Sequence, residues 1–260
     1  MTRARLLTWN VAGRVRRIGE QAELVAGLSC DLVCLQEIRP TTAARWAQLL
    51  AESGLSHMCV ASPADGEGNR RPLSVLIASR WAMSETPIDG LPWSERGLAV
   101  RTQGLEVIGV HSPISPSPGL AKVLTHEAVH RHVARGTGPR IVCGDLNTPR
   151  KEHPDGEVWT FARDRYGRLR EDRGARWDQA ELALIKGLET FGFRDAFREE
   201  QGLALRELSW EWPRWGGGYR LDHLIVSAEV TVRAVSYVHE WRRAGLSDHS
   251  PLVADIAWPD

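Results

Sequence analysis

Asparagine is nearly missing from this chain. It occurs only at 10, 69 and 147 among 260 residues, so it is not general surface filler, and a coding bias against it would leave unexplained where the survivors sit. Lysine is almost as scarce, at 122, 151 and 186, and arginine carries the rest of the positive charge. That choice suits planar recognition of phosphate, although a coding bias toward arginine accounts for it equally well. Net charge is absent: 33 basic residues balance 33 acidic ones. This excludes a global field that draws the protein onto a polyanion and leaves only a local basic surface open. No apolar run reaches membrane-spanning length, and the opening MTRARLLTWN lacks the apolar core and small-residue cleavage site of a secretory signal. A cytoplasmic protein is expected. Cys30, Cys34, Cys59 and Cys143 lack paired zinc-ligand spacing and read as buried free thiols. With 42% hydrophobic and 25% charged residues, disordered and fibrous classes are excluded as well.

What is present is alternation. Short apolar runs at 5–9, 31–36, 73–79, 105–110, 140–143, 221–227 and 252–257 are bounded by Gly, Pro or polar residues and predict strands, several buried on both faces. Between them, 17–28, 41–52, 119–134 and 178–191 carry apolar residues at helical spacing. Strand and helix in turn predict α/β layers. No stretch of Gly, Ser or Pro is long enough to link two domains, so a single domain over 1–260 is expected. The charge-rich, weakly periodic stretch 149–177 is expected to be an extended surface connection, and 112–119, rich in Pro and Ser, a second one.

Four polar islands close apolar runs: WN at 9–10, QE at 36–37, GDLN at 144–147 and SDH at 247–249. Two of the three asparagines lie inside them. Magnesium takes oxygen ligands, keeps several waters and commonly needs only one or two protein carboxylates beside phosphate oxygens. Glu37 and Asp248 meet that sparse requirement, while a solvated strand end is the bland alternative for either alone. Asp145 and Asn147 stand two apart, so on an extended segment their side chains share a face. A carboxylate there can orient or deprotonate water, and a neutral amide can hold phosphate without repelling it. A plain Asx turn is the alternative. His249 ends SDH, and RLDH at 220–223 supplies Asp222; a carboxylate holding an imidazole favours its charged form, suited to negative charge in a transition state. On a regular strand Asp222 and His223 face opposite ways, which leaves His223 as a surface or core histidine. His111, in GVHSP, also ends an apolar run, where a structural histidine is the bland alternative.

The order WN, LQE, HSP, GDLN, SW, RLDH and SDHSPL resembles that of the endonuclease, exonuclease and phosphatase superfamily, over nearly the whole chain from 5 to 257. The resemblance implies a four-layer α/β sandwich, two packed mixed sheets flanked by helices with the active site at one edge. It implies Asn10, Glu37 and Asp248 as metal-coordinating or metal-adjacent groups for Mg²⁺, with Mn²⁺ as a substitute. It also implies Asp145 as the residue that activates or positions water, Asn147 and His111 as phosphate contacts, and Asp222 with His249 as the paired carboxylate and imidazole. The stretch 208–227 is most similar to the exonuclease III and abasic-site endonuclease branch. By that likeness Trp210 walls the pocket for a flipped sugar, with Trp212, Arg214, Trp215 and Arg220 nearby for a nucleic-acid strand, and Arg96 in SERGLAV faces DNA; core or hairpin packing is the alternative for the tryptophans and a solvated surface for Arg96. Three positions depart from that branch: Ala12, His111 in place of Tyr, and Ile114 after Pro113.

The expected activity is a Mg²⁺-dependent phosphodiesterase acting on DNA as a monomer without an obligate protein partner, cutting by in-line attack of water. The alternative keeps the chemistry on another substrate, such as an RNA end, a phosphoinositide, a phospholipid head group or a small phosphoester. A catalytically inactive binding scaffold is the third reading, opposed by the retention of every island.

Overall fold

A computed structural model describes residues 1–63, 72–212, 214 and 216–260; Asn69 and Trp215 lie outside them. Its strands form two six-stranded mixed sheets. The first runs in the order β15 (Thr231–Tyr237), β16 (Leu252–Trp258), β1 (Thr2–Asn10), β2 (Leu32–Ile38), β4 (Ser74–Ser79) and β3 (His57–Val60). The second runs β11 (Arg194–Asp195), β14 (Asp222–Val226), β8 (Arg140–Asp145), β7 (Leu105–His111), β6 (Gly97–Thr102) and β5 (Ser84–Thr86). Each sheet has one central parallel pair, β1 with β2 and β7 with β8, and is otherwise antiparallel. Two small hairpins stand apart, β9 (Lys151–Glu152) with β10 (Val158–Trp159), and β12 (Trp210–Glu211) with β13 (Gly218–Tyr219).

Helices cover both outer faces, which is why the central strands read as continuous apolar runs rather than alternating ones. In strand after strand one residue enters the inter-sheet core and its neighbour packs outward. Leu6, Cys34, Ile77, Val107, Cys143 and Leu224 fill the space between the sheets. Leu7, Val33, Leu35 and Leu76 pack outward with Trp46 and Leu50 of α2 (Ala43–Glu52) and Val25 of α1 (Ile18–Gly27). On the opposite side Ile108, Val142 and Ile225 meet Val129 and Val133 of α3 (Ala121–Arg135) and Leu184 of α4 (Gly174–Ile185). The sheets approach closely at Gly109, where a Cβ would come within 2.6 Å of Cys34 Sγ.

The strands and helices expected from periodicity are all present, with shifted ends. The segment 178–191 divides: α4 starts earlier, at Gly174, and stops at Ile185, and a 3-10 turn covers Gly187–Phe191. The connection 149–177 runs along the surface for most of its length but is anchored in the interior at a few points. Thr160 and Ala162 are fully buried there, and Thr160 Oγ1 donates to Asp178 Oδ1 of α4 at 2.6 Å. Its charged residues hid this anchoring from any hydropathy pattern. All four cysteines are free; three are buried and Cys59 is partly so, and burial pushes the Cys30 thiol up to about 12. Among the described residues no helix is long and apolar enough to cross a membrane.

Candidate active site

Register brings the islands together. Asn10, His111 and Asp145 are the last residues of β1, β7 and β8, and Asp222 is the first of the antiparallel β14. His111 pairs with Asp145 across the parallel ladder, and Asp222 pairs with Asp145 on its other side. Gly144 permits that close ladder: its φ is +125°, and an added Cβ would overlap the Val110 carbonyl oxygen. Four chain-distant residues thus meet at one edge of the packed sheets.

Glu37 reaches the same place by a different device. The ladder between β2 and β4 slips between Leu35 and Ile38, and Glu37 takes φ +64°. A bulge of this kind re-aims one side chain, and a left-handed non-glycine residue is strained backbone of the sort that collects at functional sites. The loop carrying Asp248 and His249 is tied to β1: Ser247 Oγ donates to the Asn10 carbonyl at 2.6 Å, and Trp9 Nε1 donates to the His249 carbonyl at 3.0 Å. Ser209 explains the SW string structurally. It is fully buried, and its Oγ accepts the backbone N–H groups of Leu221 and Asp222 at 2.8 and 3.0 Å, fixing the start of the RLDH strand.

At the centre, His249 Nδ1 and Asp222 Oδ2 are 2.8 Å apart, and His249 Nε2 lies 3.8 Å from Asp145 Oδ2. Burial alone would lower the imidazole, but the Asp222 and Asp145 charges outweigh it and raise His249 to about 10. Burial is the main reason Asp145 is raised, to about 7; His249 opposes that rise and Asp222 adds to it. His111 Nε2 stands 3.6 Å from Glu37 Oε1 and 4.0 Å from Asp145 Oδ2. Its burial, and then the Arg96 guanidinium, hold it well below the ordinary histidine range. The site therefore carries one charged and one neutral imidazole on either side of Asp145.

The amides are already committed. Asn10 Nδ2 donates to Glu37 Oε1 at 3.1 Å and to Asp145 Oδ2 at 2.9 Å, while its oxygen accepts the Ala12 N–H. In this geometry Asn10 ties two carboxylates together rather than presenting an oxygen to an ion. Asn147, in the left-handed region at φ +50°, gives its backbone N–H to Asp145 Oδ1. Its Nδ2 donates to the Ser112 carbonyl at 2.7 Å and to Asp145 Oδ2 at 3.3 Å, so a phosphate would share that donor with Asp145.

A cleft of about 540 Å³ opens on this centre, lined by Glu37, His111, Asp145, Asn147, Asp248 and His249. Apolar and aromatic residues line it as well: Ile114, Pro116, Phe161, Trp210, Trp212, Tyr219 and Leu221. Trp210 stacks parallel to Tyr219 with centroids 6.0 Å apart, and its Nε1 donates to Asp248 Oδ2 at 3.1 Å. Sequence reasoning missed Phe161, Pro116 and Tyr219. The first two lie in stretches that looked like connections, and nothing in a hydropathy pattern marks a loop residue that folds back over a strand end.

Two expected substrate contacts are corrected. Arg220 is 3% exposed, with Nη2 2.6 Å from Glu152 Oε1 and Nη1 2.9 Å from Asp195 Oδ2. It lies outside that cleft's lining, because two buried carboxylates hold its charge. Arg96 is 6% exposed; its Nη1 sits 2.6 Å from His111 Nδ1 and its guanidinium lies over the Trp93 ring, so it does not face solvent. His223, on the face opposite Asp222, is a core histidine between Asp195 and the Thr148 carbonyl.

Oxygen donors fit a hard divalent ion here. Asp145, Asp222 and His249 offer ligand atoms within 4.8 Å of one another. Asp222 Oδ2 is consumed by the imidazole, whereas its Oδ1 is buried and has no hydrogen-bond partner among the described residues. Glu37 and Asp248 are less committed: both are partly exposed on the cleft, and each accepts one side-chain hydrogen bond, from Asn10 and from Trp210 respectively.

Residues 7–249 match the model of the Endonuclease/Exonuclease/phosphatase family. An AP endonuclease from Archaeoglobus fulgidus is similar in structure, with 19% identity and a TM-score of 0.74 over 98% of this chain and 99% of that one. The 3′ phosphatase NExo from Neisseria, solved with a product DNA hairpin, shares 21% identity and a TM-score of 0.66 over 98% and 100%. An endonuclease/exonuclease/phosphatase from Beutenbergia cavernae DSM 12333 shares 16% and 0.65 over 99% of this chain and 72% of that one. No curated protein matches. The chain belongs to the endonuclease/exonuclease/phosphatase family of phosphoester hydrolases.

Proposed function

We propose that the protein is a divalent-metal-dependent phosphodiesterase of exonuclease III type that cleaves DNA by in-line attack of water on phosphorus. The observation that carries this reading is the convergence of Glu37, His111, Asp145 and His249 on one cleft that aromatic rings also line. The first set suits phosphorus chemistry, and the second suits a stacked sugar or base. Two structural relatives, an AP endonuclease and a 3′ phosphatase bound to DNA, lend support.

Glu37, with Asp145 and Asp248 close by, would hold Mg²⁺ or Mn²⁺, and Asn10 would fix the Glu37 carboxylate. Such an ion, when bound, polarises a phosphoryl oxygen and stabilises the leaving oxyanion. Asp145, locked by Asn10 and Asn147, aims the water at phosphorus and accepts its proton. As the new P–O bond forms and the leaving P–O bond breaks, the cationic His249 donates to a non-bridging oxygen where charge accumulates. Neutral His111 offers its single N–H to the same group. Trp210, Trp212, Phe161 and Tyr219 bind the flanking part of the substrate.

One observation favours a second reading, a smaller phosphoester. Arg96 and Arg220, the cations expected to meet a DNA backbone, are both buried. The deciding experiment is incision of a duplex containing one abasic-site analogue, beside an intact duplex, in Mg²⁺ and in chelator, with Asp145→Ala as control. Metal-dependent incision absent in the variant supports the DNA reading. Hydrolysis of bis(p-nitrophenyl) phosphate without incision of any DNA moves the substrate to the smaller class, and no hydrolysis by a folded protein removes both.

A further inference from the structure

Lysine is so rare in this chain that the fully buried Lys122 calls for a reason. It lies at the start of α3, and its ammonium is 2.8 Å from Glu181 Oε1 on α4. It also donates to the Asn147 carbonyl at 2.7 Å and sits 4.8 Å from the Phe161 ring centroid. A compact ammonium with three donors satisfies such a pocket where a planar guanidinium does not fit.

Glu181, 1% exposed, is the hub of this arrangement. Besides Lys122, its Oε1 accepts Trp177 Nε1 at 2.6 Å, and its Oε2 accepts Thr148 Oγ1 at 2.5 Å and the Phe161 backbone N–H at 2.9 Å. A second strut comes from the same helix face one turn on. His126 Nε2 is 2.8 Å from Ser112 Oγ, and the Ser112 carbonyl accepts the Asn147 side-chain amide. Asn147 is thus gripped at its carbonyl by Lys122, at its amide by the strand supported by His126, and by Asp145, which accepts from both its N–H groups.

We propose that Lys122 and Glu181 are positioning residues that orient Asn147, and through it Asp145, while the same carboxylate fixes the Phe161 wall of the cleft. The inference rests on the phosphodiesterase reading. A buried charge is an expensive way to hold a loop unless its geometry matters. One carboxylate here joins the hydrolytic loop at Thr148 to Phe161, so Asn147 and Phe161, both in the cleft lining, are held from one point.

The test is a double-mutant cycle with a second readout that needs no activity. Lys122→Met removes the ammonium; Thr148→Val removes one strut and leaves the buried ion pair intact, so it serves where Lys122→Met does not fold. With bis(p-nitrophenyl) phosphate and Mg²⁺, either variant should lower kcat by about 10- to 100-fold with KM changed less than about 3-fold. In an Asn147→Ala background, which loses the amide but keeps the backbone carbonyl that Lys122 holds, the same substitution should cost less than in the wild type. Equal loss in both backgrounds, or wild-type kcat in both folded variants, overturns the proposal.

Selective ¹⁵N-asparagine labelling supplies the other arm, because only three side-chain amides contribute signals. The Asn147 pair, assigned from Asn147→Ala, should shift or broaden in both variants. An unmoved Asn147 pair overturns the positioning role even if the wild type proves to cleave no phosphodiester. Lack of all hydrolysis by the wild type with a shifted Asn147 pair sinks the activity and leaves the positioning intact.

Discussion

His249 Nδ1 lies 2.8 Å from Asp222 Oδ2, although 27 residues separate them and neither is more than 6% exposed. The carboxylate holds the imidazole in place and, with Asp145, more than compensates for the burial that disfavours its charge. Because the folded value is raised to about 10, the charge is present at neutral pH and is lost only as pH rises through that value. Asp222→Asn should reduce kcat by about 10²- to 10⁴-fold and move the alkaline limb of the rate profile toward neutral pH. A profile unchanged in position would separate His249 ionisation from turnover.

Glu37 offers a trade of stability against activity. Its backbone is held at φ +64°, a region that disfavours a Cβ by about 1 kcal/mol or more. Glu37→Gly should therefore leave the fold at least as stable in urea, while lowering Mg²⁺ affinity in calorimetry and turnover by several orders of magnitude. Loss of stability equal to an ordinary core substitution would contradict the strain.

Gly144 has no such freedom. A methyl group would meet the Val110 carbonyl across the parallel ladder, and φ +125° is closed to other residues. Gly144→Ala should destabilise by about 2 to 4 kcal/mol and displace Asp145, seen as a lower denaturation midpoint together with lost activity.

Acid should loosen the ion-pair cluster of Glu152, Asp195, Arg198 and Arg220. Burial opposes ionisation of Glu152, but Arg220 and Arg198 outweigh it and lower its value to about 2. A depressed carboxylate stabilises the fold above its unfolded value and loses that contribution as pH falls toward the folded one. Asp195 is depressed as well, with burial again opposing and Arg220 and His223 prevailing. Stability measured by urea titration should fall between about pH 4.5 and pH 2, by about 3 kcal/mol for Glu152 alone. In Glu152→Gln that decline should be smaller and the protein weaker at pH 7, with Arg198 and Arg220 left less compensated.

Trp212 is exposed, lines the cleft and meets Trp210 edge-on with centroids 4.9 Å apart. Trp212→Ala should raise KM for a nucleic-acid substrate by about 5-fold or more with little change in kcat or in melting temperature. An unchanged KM for DNA beside a raised one for a small aromatic ester would favour the smaller substrate.

Much of the architecture was legible beforehand because burial on both faces leaves a plain mark, a run of apolar residues ended by a polar one. Weakly apolar edge strands left no such mark: β15 exposes Thr231, Arg233, Ala234 and Ser236, and reads as loop without its ladder to β16. The site was legible residue type by residue type, because Asn10, Glu37, Asp145, Asp222 and His249 each close or open an apolar run. Their roles were less so. Asn10 and Asn147 look like free ligands in a string, yet the Asn10 amide is spent on two carboxylates and the Asn147 amide on the Ser112 carbonyl and Asp145. Arg96 and Arg220 look like surface cations until packing encloses them.

Sequence by itself therefore determined which residues stand at strand ends, because alternation and polarity are local properties of the chain. Tertiary structure alone decided which strand ends share an edge, which charges were neutralised inside, and which loop residues, Phe161 and Pro116 among them, closed the cleft. Those outcomes depend on register between strands far apart in sequence and on the drive to pair every buried donor, and no single segment contains that information.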